Sequence, residues 1–152
     1  ALSMLCRFNG HCLKFYSVAE HCVRVSNILP DEFALWGLMH DAAEAYLSDI
    51  PRPIKSLVVN FEQVEDQLLA AILNSVGLSM PMPELVRKAD DALLATEARD
   101  IMAKPPVPWG LLATPLDEPI TPMSCAHAEQ AFLDRYTALT GRYALISHTD
   151  AQ

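Results

Sequence analysis

Apolar positions recur along this chain at intervals of three and four residues, in runs that proline and glycine cut off. That pattern predicts amphipathic helices. In SVAEHCVRVSNIL, Val18, Cys22, Val25 and Leu29 share one face, Ser17 and Glu20 stand at capping-box spacing, and Pro30 ends the run; a helix is predicted over 17–29. Residues 31–47 carry Phe33, Leu35, Trp36, Leu38, Met39 and Ala43 around most of the circumference, as a central helix would. FEQVEDQLLAAILNSV predicts a third helix over 61–76 with Gly77 as its stop. PELVRKADDALLATEARDIMA predicts a fourth over 83–103, opened by Pro83. Six of the eleven prolines lie between 104 and 123, so that stretch is expected to be an irregular loop. Ser124 as N-cap and Gly141 as stop predict a last helix over 124–140. Alternation of period two occurs at useful length only in the tail RYALIS, and no internal repeat is present. The expected fold class is all-α, a helical bundle of about five to seven helices.

With 152 residues, 51% of them apolar and 20% charged, the chain has the size of one domain with a real core, expected to span 1–152. The opening ALSMLC already looks helical without a cap ahead of it, so residues are expected to precede Ala1. A net charge of −8 argues against a nucleic-acid partner, because duplex binding draws on clustered Lys and Arg. A small anion remains a possible ligand. No window has the apolar length of a membrane span and no basic-then-apolar leader is visible, so a soluble, cytoplasmic protein with no membrane association is expected. Cys6, Cys12, Cys22 and Cys125 show no zinc-finger or C-x-x-C spacing and are expected to be buried free thiols.

Polar residues inside the apolar segments raise the question of chemistry. His40 and Glu44 are four apart on one helical face and Asp41 sits about 100° round from His40, so one ligand over the seam could touch both. An unpartnered buried carboxylate there costs several kcal/mol, and a bound cation is one way to remove that cost. The His-Asp dipeptide alone reads equally as a core histidine or an ion pair. His21 lies on or beside the buried face of its helix and needs a partner. Asp90 shares a row with Val86, Leu93 and Glu97, whereas Asp91 sits four after Arg87 on the expected solvated face. Two imidazoles and two carboxylates from three helices make a suitable shell for a divalent first-row cation. Glu97 and Arg99 could form an outer layer around them or an ordinary ion pair. His11, His127 and His148 have no partners at ligand spacing and are given no site role; Trp36 and the methionines are expected in the core.

The order His21, His40-Asp41 and Asp90 in a KAD context resembles the HD-domain phosphohydrolases, an all-helical family whose single metal is held by a His, an adjacent His-Asp pair and a distant Asp. The segments RFNGH, YSVAEH, HDAAEAYLSDIPRPIK and KADDALLATEARD are similar to the branch containing bacterial 5′-deoxynucleotidases and small phage deoxyadenosine-triphosphate triphosphohydrolases. The resemblance implies a compact HD-type bundle and one divalent metal ion (Zn, Co, Mn or Mg) held by His21, His40, Asp41 and Asp90. It implies Glu44 and Asp49 as the acid/base and water-positioning carboxylates, and Arg7 and Lys55 at the phosphate with Arg87 as a weaker third. Phe8 stands where related enzymes use an aromatic near the base or sugar. The additional histidines of two-metal relatives are missing between 42 and 126, which favours one metal.

The chemistry suits these residue types independently of the resemblance. A phosphate ester resists attack by an incoming oxygen, so its hydrolysis needs positive charge and an activated water together. Glu44, one turn from His40, is placed to accept a proton or orient that water, and the two prolines of IPRPIK restrict where Lys55 is held. The expected function is metal-dependent hydrolysis of a deoxynucleotide 5′-phosphate, releasing phosphate from a monophosphate or triphosphate from a deoxynucleoside triphosphate. The expected partners are a small nucleotide substrate and further copies of the chain. Two alternatives stand beside this reading: a non-catalytic domain that uses the metal as a staple or regulatory site, and an HD hydrolase of another phosphoester such as a cyclic dinucleotide or an alarmone.

Overall fold

Ser17 sits in extended backbone and its hydroxyl accepts the Glu20 N–H at 3.1 Å, which starts helix α1 (Val18–Ile28). The reciprocal half of a capping box is replaced by something longer in range. The buried Glu20 carboxylate accepts from Arg24 and from the Met123 N–H instead. Pro30 then leads into α2 (Asp31–Met39), and the two helices pack so closely that a Cβ on Gly37 would stand 2.5 Å from the Leu29 side chain and 3.1 Å from the Ser26 backbone. The computed structural model describes residues 1–107 and 110–142, without the side chains of Arg52 and Pro53. The RYALIS alternation and His148 fall largely or wholly outside the described residues.

The helix expected over 31–47 is divided. Residues 40–43 form a turn, and α3 resumes as Glu44–Leu47. His40 Nδ1 lies 2.7 Å from the Gly37 carbonyl oxygen, the acceptor an unbroken ladder would offer to the Asp41 N–H. The following bonds tighten to the three-residue spacing, Ala42 to Met39 and Glu44 to Asp41. The imidazole thus competes with the helix it stands on. A short α4 (Arg52–Lys55) forms within IPRPIK, where Pro51 accepts the Ile54 and Lys55 N–H groups.

Helix α5 (Phe61–Ser75) ends as expected at Gly77, whose φ of +81° allows the Leu78 and Gly77 N–H groups to return to the Leu73 and Asn74 carbonyls. Helix α6 (Glu84–Asp100) and α7 (Cys125–Thr140) also match their expected spans to within a few residues. Two 3-10 turns, Leu2–Met4 and Arg7–Gly10, occupy the N-terminal stretch. The fold is an all-α bundle, with no strand among the described residues beyond isolated bridges. None of its helices is long and apolar enough to cross a membrane, among the described residues.

Helices α1 and α2 share the centre and both touch α6 and α7. Val25, Leu29, Trp36, Met39, Val86 and Leu93 form the main core, joined by Leu69 and Leu73 of α5. Val18, Cys22 and Leu38 pack against Phe132 and Tyr136 of α7 in a second cluster. The proline-rich stretch contains no helix among the described residues but is anchored to its neighbours. Thr96 Oγ1, Asp100 Oδ2 and Glu20 Oε2 accept the N–H groups of Leu116, Ile120 and Met123 at 2.7–2.8 Å. Its Leu111 is thereby carried to the mouth of the cavity described below.

Three expectations about side chains are corrected. All four cysteines are free thiols, but only Cys22 is buried, since Cys6, Cys12 and Cys125 lie at the ends of elements where one side meets solvent. Met39 lies in the core, while Met4 is exposed and Met102 lines the cavity. Asp91, expected on a solvated face, is half-buried, because α6 is covered on more than one side.

Candidate metal centre

Three elements deliver the polar cluster. His21 comes from the middle of α1, His40 and Asp41 from the interrupted end of α2, and Asp90 from the second turn of α6. The two Nε2 atoms stand 3.2 Å apart. Asp41 Oδ2 is 3.3 Å from His40 Nε2 and 3.6 Å from His21 Nε2, and Asp90 Oδ1 is 3.2 Å from His21 Nε2 and 3.9 Å from His40 Nε2. Both imidazoles are buried. His21, His40 and Asp90 offer ligand atoms that all lie within 4.8 Å of one another, a group that could hold a metal ion.

The outer nitrogens decide what the inner ones can do. The Gly37 carbonyl only accepts, so His40 Nδ1 carries a proton. His21 Nδ1 faces the Glu97 carboxylate at 2.6 Å and donates to it. A neutral imidazole with its proton on Nδ1 presents a lone pair at Nε2, so two lone pairs and two carboxylate oxygens converge on one spot. Either protons or a cation must occupy it. Without a cation the surroundings favour the protonated imidazoles: burial pushes His40 down, but Asp41 outweighs it and leaves His40 well above its ordinary value. Burial and Arg7 push His21 down, and Glu97 and Asp90 more than reverse them. Burial likewise raises the two aspartates, yet the imidazoles hold Asp41 below the usual carboxylate range and Asp90 at about 2. A divalent cation can take the place of protons there, and nitrogen plus carboxylate oxygen is a donor set for a first-row metal. Cys22 Sγ lies near His40 and Asp41 as well, but burial pushes its thiol up, which leaves it a poor ligand.

A second layer surrounds the cluster. Arg7, buried, donates from Nη1 to Asp41 Oδ2 at 3.1 Å and from Nη2 to Glu97 Oε2 at 3.4 Å. Phe8 and Asn9 follow with φ of +55° and +52°, a left-handed pair rare outside glycine. Asp49 Oδ2 accepts the Phe8 N–H at 2.7 Å and fixes that turn, leaving the Arg7 guanidinium 5.1 Å over the Phe8 ring.

These groups open on a cavity of about 620 Å³ lined by Arg7, Phe8, Asp41, Glu44, Asp49, Lys55 and Asp90. Ile50, Pro51, Leu94, Met102 and Leu111 form its apolar wall, and His11 also lines it. Glu44 is buried, and its Oε2 has no hydrogen-bond partner among the described residues. Burial, then Asp41 and Asp49, push its carboxyl up to about 9.

Of the residues given a metal, catalytic or substrate role in the sequence, nine gather here: His21, His40, Asp41 and Asp90 at the cluster, and Arg7, Phe8, Glu44, Asp49 and Lys55 around it. Lys55 arrives already paired with Glu65 at 2.7 Å. Arg87 does not join them. It lies on the exposed side of α6, 3.9 Å from Glu84, while its neighbour Val86 takes the buried face of that turn. His11, given no role, lines the cavity because the Arg7–Gly10 turn carries it there. No feature of its spacing signals this, although Asn9-Gly10 signals the turn itself.

No family model matches the chain. It is 42% identical over 144 residues to YfdR of Escherichia coli, a protein described as uncharacterized, across 92% of this chain and 80% of that one. A second uncharacterized protein, from Rhodobacter capsulatus, is 30% identical over 108 residues, 64% of this chain and 55% of its own length. At that identity and coverage, the chain belongs to the family of Escherichia coli YfdR.

Proposed function

We propose that this protein is a metal-dependent phosphohydrolase of the HD-domain type that hydrolyses deoxynucleotide 5′-phosphates. The observation that carries the reading is Glu44: a buried carboxyl whose Oε2 has no partner among the described residues, on the cavity that Asp41 and Asp90 of the cluster also line. A domain that used a cation only as a staple would need the ligands alone. A divalent cation held by His21, His40, Asp41 and Asp90 would supply Lewis acidity to a phosphoryl oxygen and make a nearby water more acidic. Burial and the neighbouring Asp41 and Asp49 favour the protonated form of Glu44 in the metal-free site. Positive charge beside it favours the ionised form, which can accept a proton from the attacking water and return it to the leaving oxygen. Asp49 is oriented by the Phe8 N–H and lines the same cavity, where it can meet the water or the substrate. Arg7 and Lys55 supply cations to the cavity wall, and Phe8 with Leu94, Met102 and Leu111 offers apolar surface suited to a base or sugar.

The test compares wild type with Glu44→Gln, because the amide is nearly isosteric and leaves the four ligands untouched. Metal content and melting temperature are expected to hold, while phosphate or triphosphate release across a deoxynucleotide panel falls by about 100-fold or more. Loss of metal from the variant would make Glu44 a ligand. Full activity would move the base to Asp49, and no release by wild type from any nucleotide would sink the hydrolase reading.

A further inference from the structure

Glu97 is fully buried two turns beyond Asp90 on α6, and each of its oxygens is committed to a different part of the site. Oε1 accepts His21 Nδ1 at 2.6 Å, and Oε2 accepts Arg7 Nη2 at 3.4 Å. Arg7 then returns through Nη1 to Asp41 Oδ2 at 3.1 Å, and that same oxygen lies 3.6 Å from His21 Nε2. The contacts close a ring: Glu97, His21, Asp41, Arg7 and back to Glu97. Its two halves have different tasks. His21 and Asp41 face the cation position, whereas Arg7 faces the cavity and keeps a buried Nε without a partner among the described residues.

Resting on the proposed metal centre, we infer that Glu97 is a positioning residue that couples the affinity for the divalent cation to the affinity for phosphate. It fixes His21 with its proton on Nδ1 and its lone pair inward, as an acceptor on the outer nitrogen of a ligating imidazole does. The same carboxylate holds the Arg7 guanidinium against Asp41. A cation that draws charge from Asp41 weakens the hold of Asp41 on Arg7, and Glu97 then keeps Arg7 in place for an incoming anion. Coupling of this kind is reciprocal: whatever factor the cation adds to phosphate affinity, phosphate adds to cation affinity.

The experiment is calorimetric titration of Co(II) into the full chain with and without inorganic phosphate, for wild type and Glu97→Gln, together with the visible spectrum of the Co(II) protein. Wild type is expected to bind Co(II) more tightly with phosphate present. In Glu97→Gln the Co(II) dissociation constant should rise by about 10- to 100-fold, the spectrum should shift as the His21 ring loosens, and the effect of phosphate should vanish. Unchanged Co(II) affinity and an unchanged spectrum in a folded variant would overturn the inference, since a packing role would lower only the melting temperature. Should Glu97→Gln fail to fold, wild type with Zn(II) decides: the His21 Nδ1 proton should give a slowly exchanging, far-downfield signal, and its absence would overturn the inference. Wild type that takes up no Co(II) would overturn both readings. Cation binding coupled to phosphate without hydrolysis of any nucleotide would sink the phosphohydrolase alone.

Discussion

At the scale of single residues, Arg7 carries the most. The resemblance implied a cation at the phosphate, but Arg7 is also buried between the Asp41 and Glu97 carboxylates. Arg7→Ala should therefore do more than raise KM. It leaves two carboxylates facing each other without their cation, and breaking a buried charge network in this way costs about 3 kcal/mol or more. Urea unfolding should show that loss in the metal-free protein and a smaller one with Mn(II), which neutralises Asp41. A loss below about 0.5 kcal/mol, the scale of a surface substitution, would leave Arg7 with the phosphate role alone. The four candidate ligands were legible because a dipeptide and two helical rows fix which way they face. Their supporting pairings were not, although Glu97 stood out as a candidate for the outer layer. Glu97 on His21, Asp49 on Phe8 and Glu65 on Lys55 join residues separated by 76, 41 and 10 positions, and only folding pairs them.

Among the elements, the five longer helices were legible from local causes: apolar period, a serine cap, and proline and glycine stops. The interruption at 40–43 was not, because a side chain produces it by taking the Gly37 carbonyl. The left-handed Phe8 was hidden for the same reason, being held by Asp49. Gly37 matters twice, since α1 crosses α2 at this point and its carbonyl fixes the His40 ring. Gly37→Ala should destabilise the fold by about 1–3 kcal/mol through overpacking. It should also weaken Mn(II) binding, because moving α2 outward shifts His40 relative to His21. Equal Mn(II) affinity in a destabilised variant would show that the His40 ring does not depend on this crossing.

For the whole molecule, stability should respond to pH in opposite ways with and without metal. In the metal-free fold His21 and His40 stand above their ordinary values. Their contribution is therefore complete below about 6.5 and is lost as pH rises through the folded values. Glu44, raised to about 9, acts in the same direction from its unfolded value of about 4.3 upward. Asp41 and Asp90, held low, contribute above about 4 and lose that contribution on acidification. Metal-free melting temperatures should peak near about pH 4–5 and decline toward about pH 9. Bound cation competes with the imidazole protons, so the increment from Mn(II) should widen between about pH 5 and about pH 8. A constant increment would remove the imidazoles from the ligand set. The anchored proline-rich stretch has a different signature. Its Leu116, Ile120 and Met123 N–H groups end on side chains of α6 and α1, so amide hydrogen exchange should find three slow positions outside any helix. They should open together with those two helices, as part of the same cooperative unit, while neighbouring amides in the stretch exchange freely.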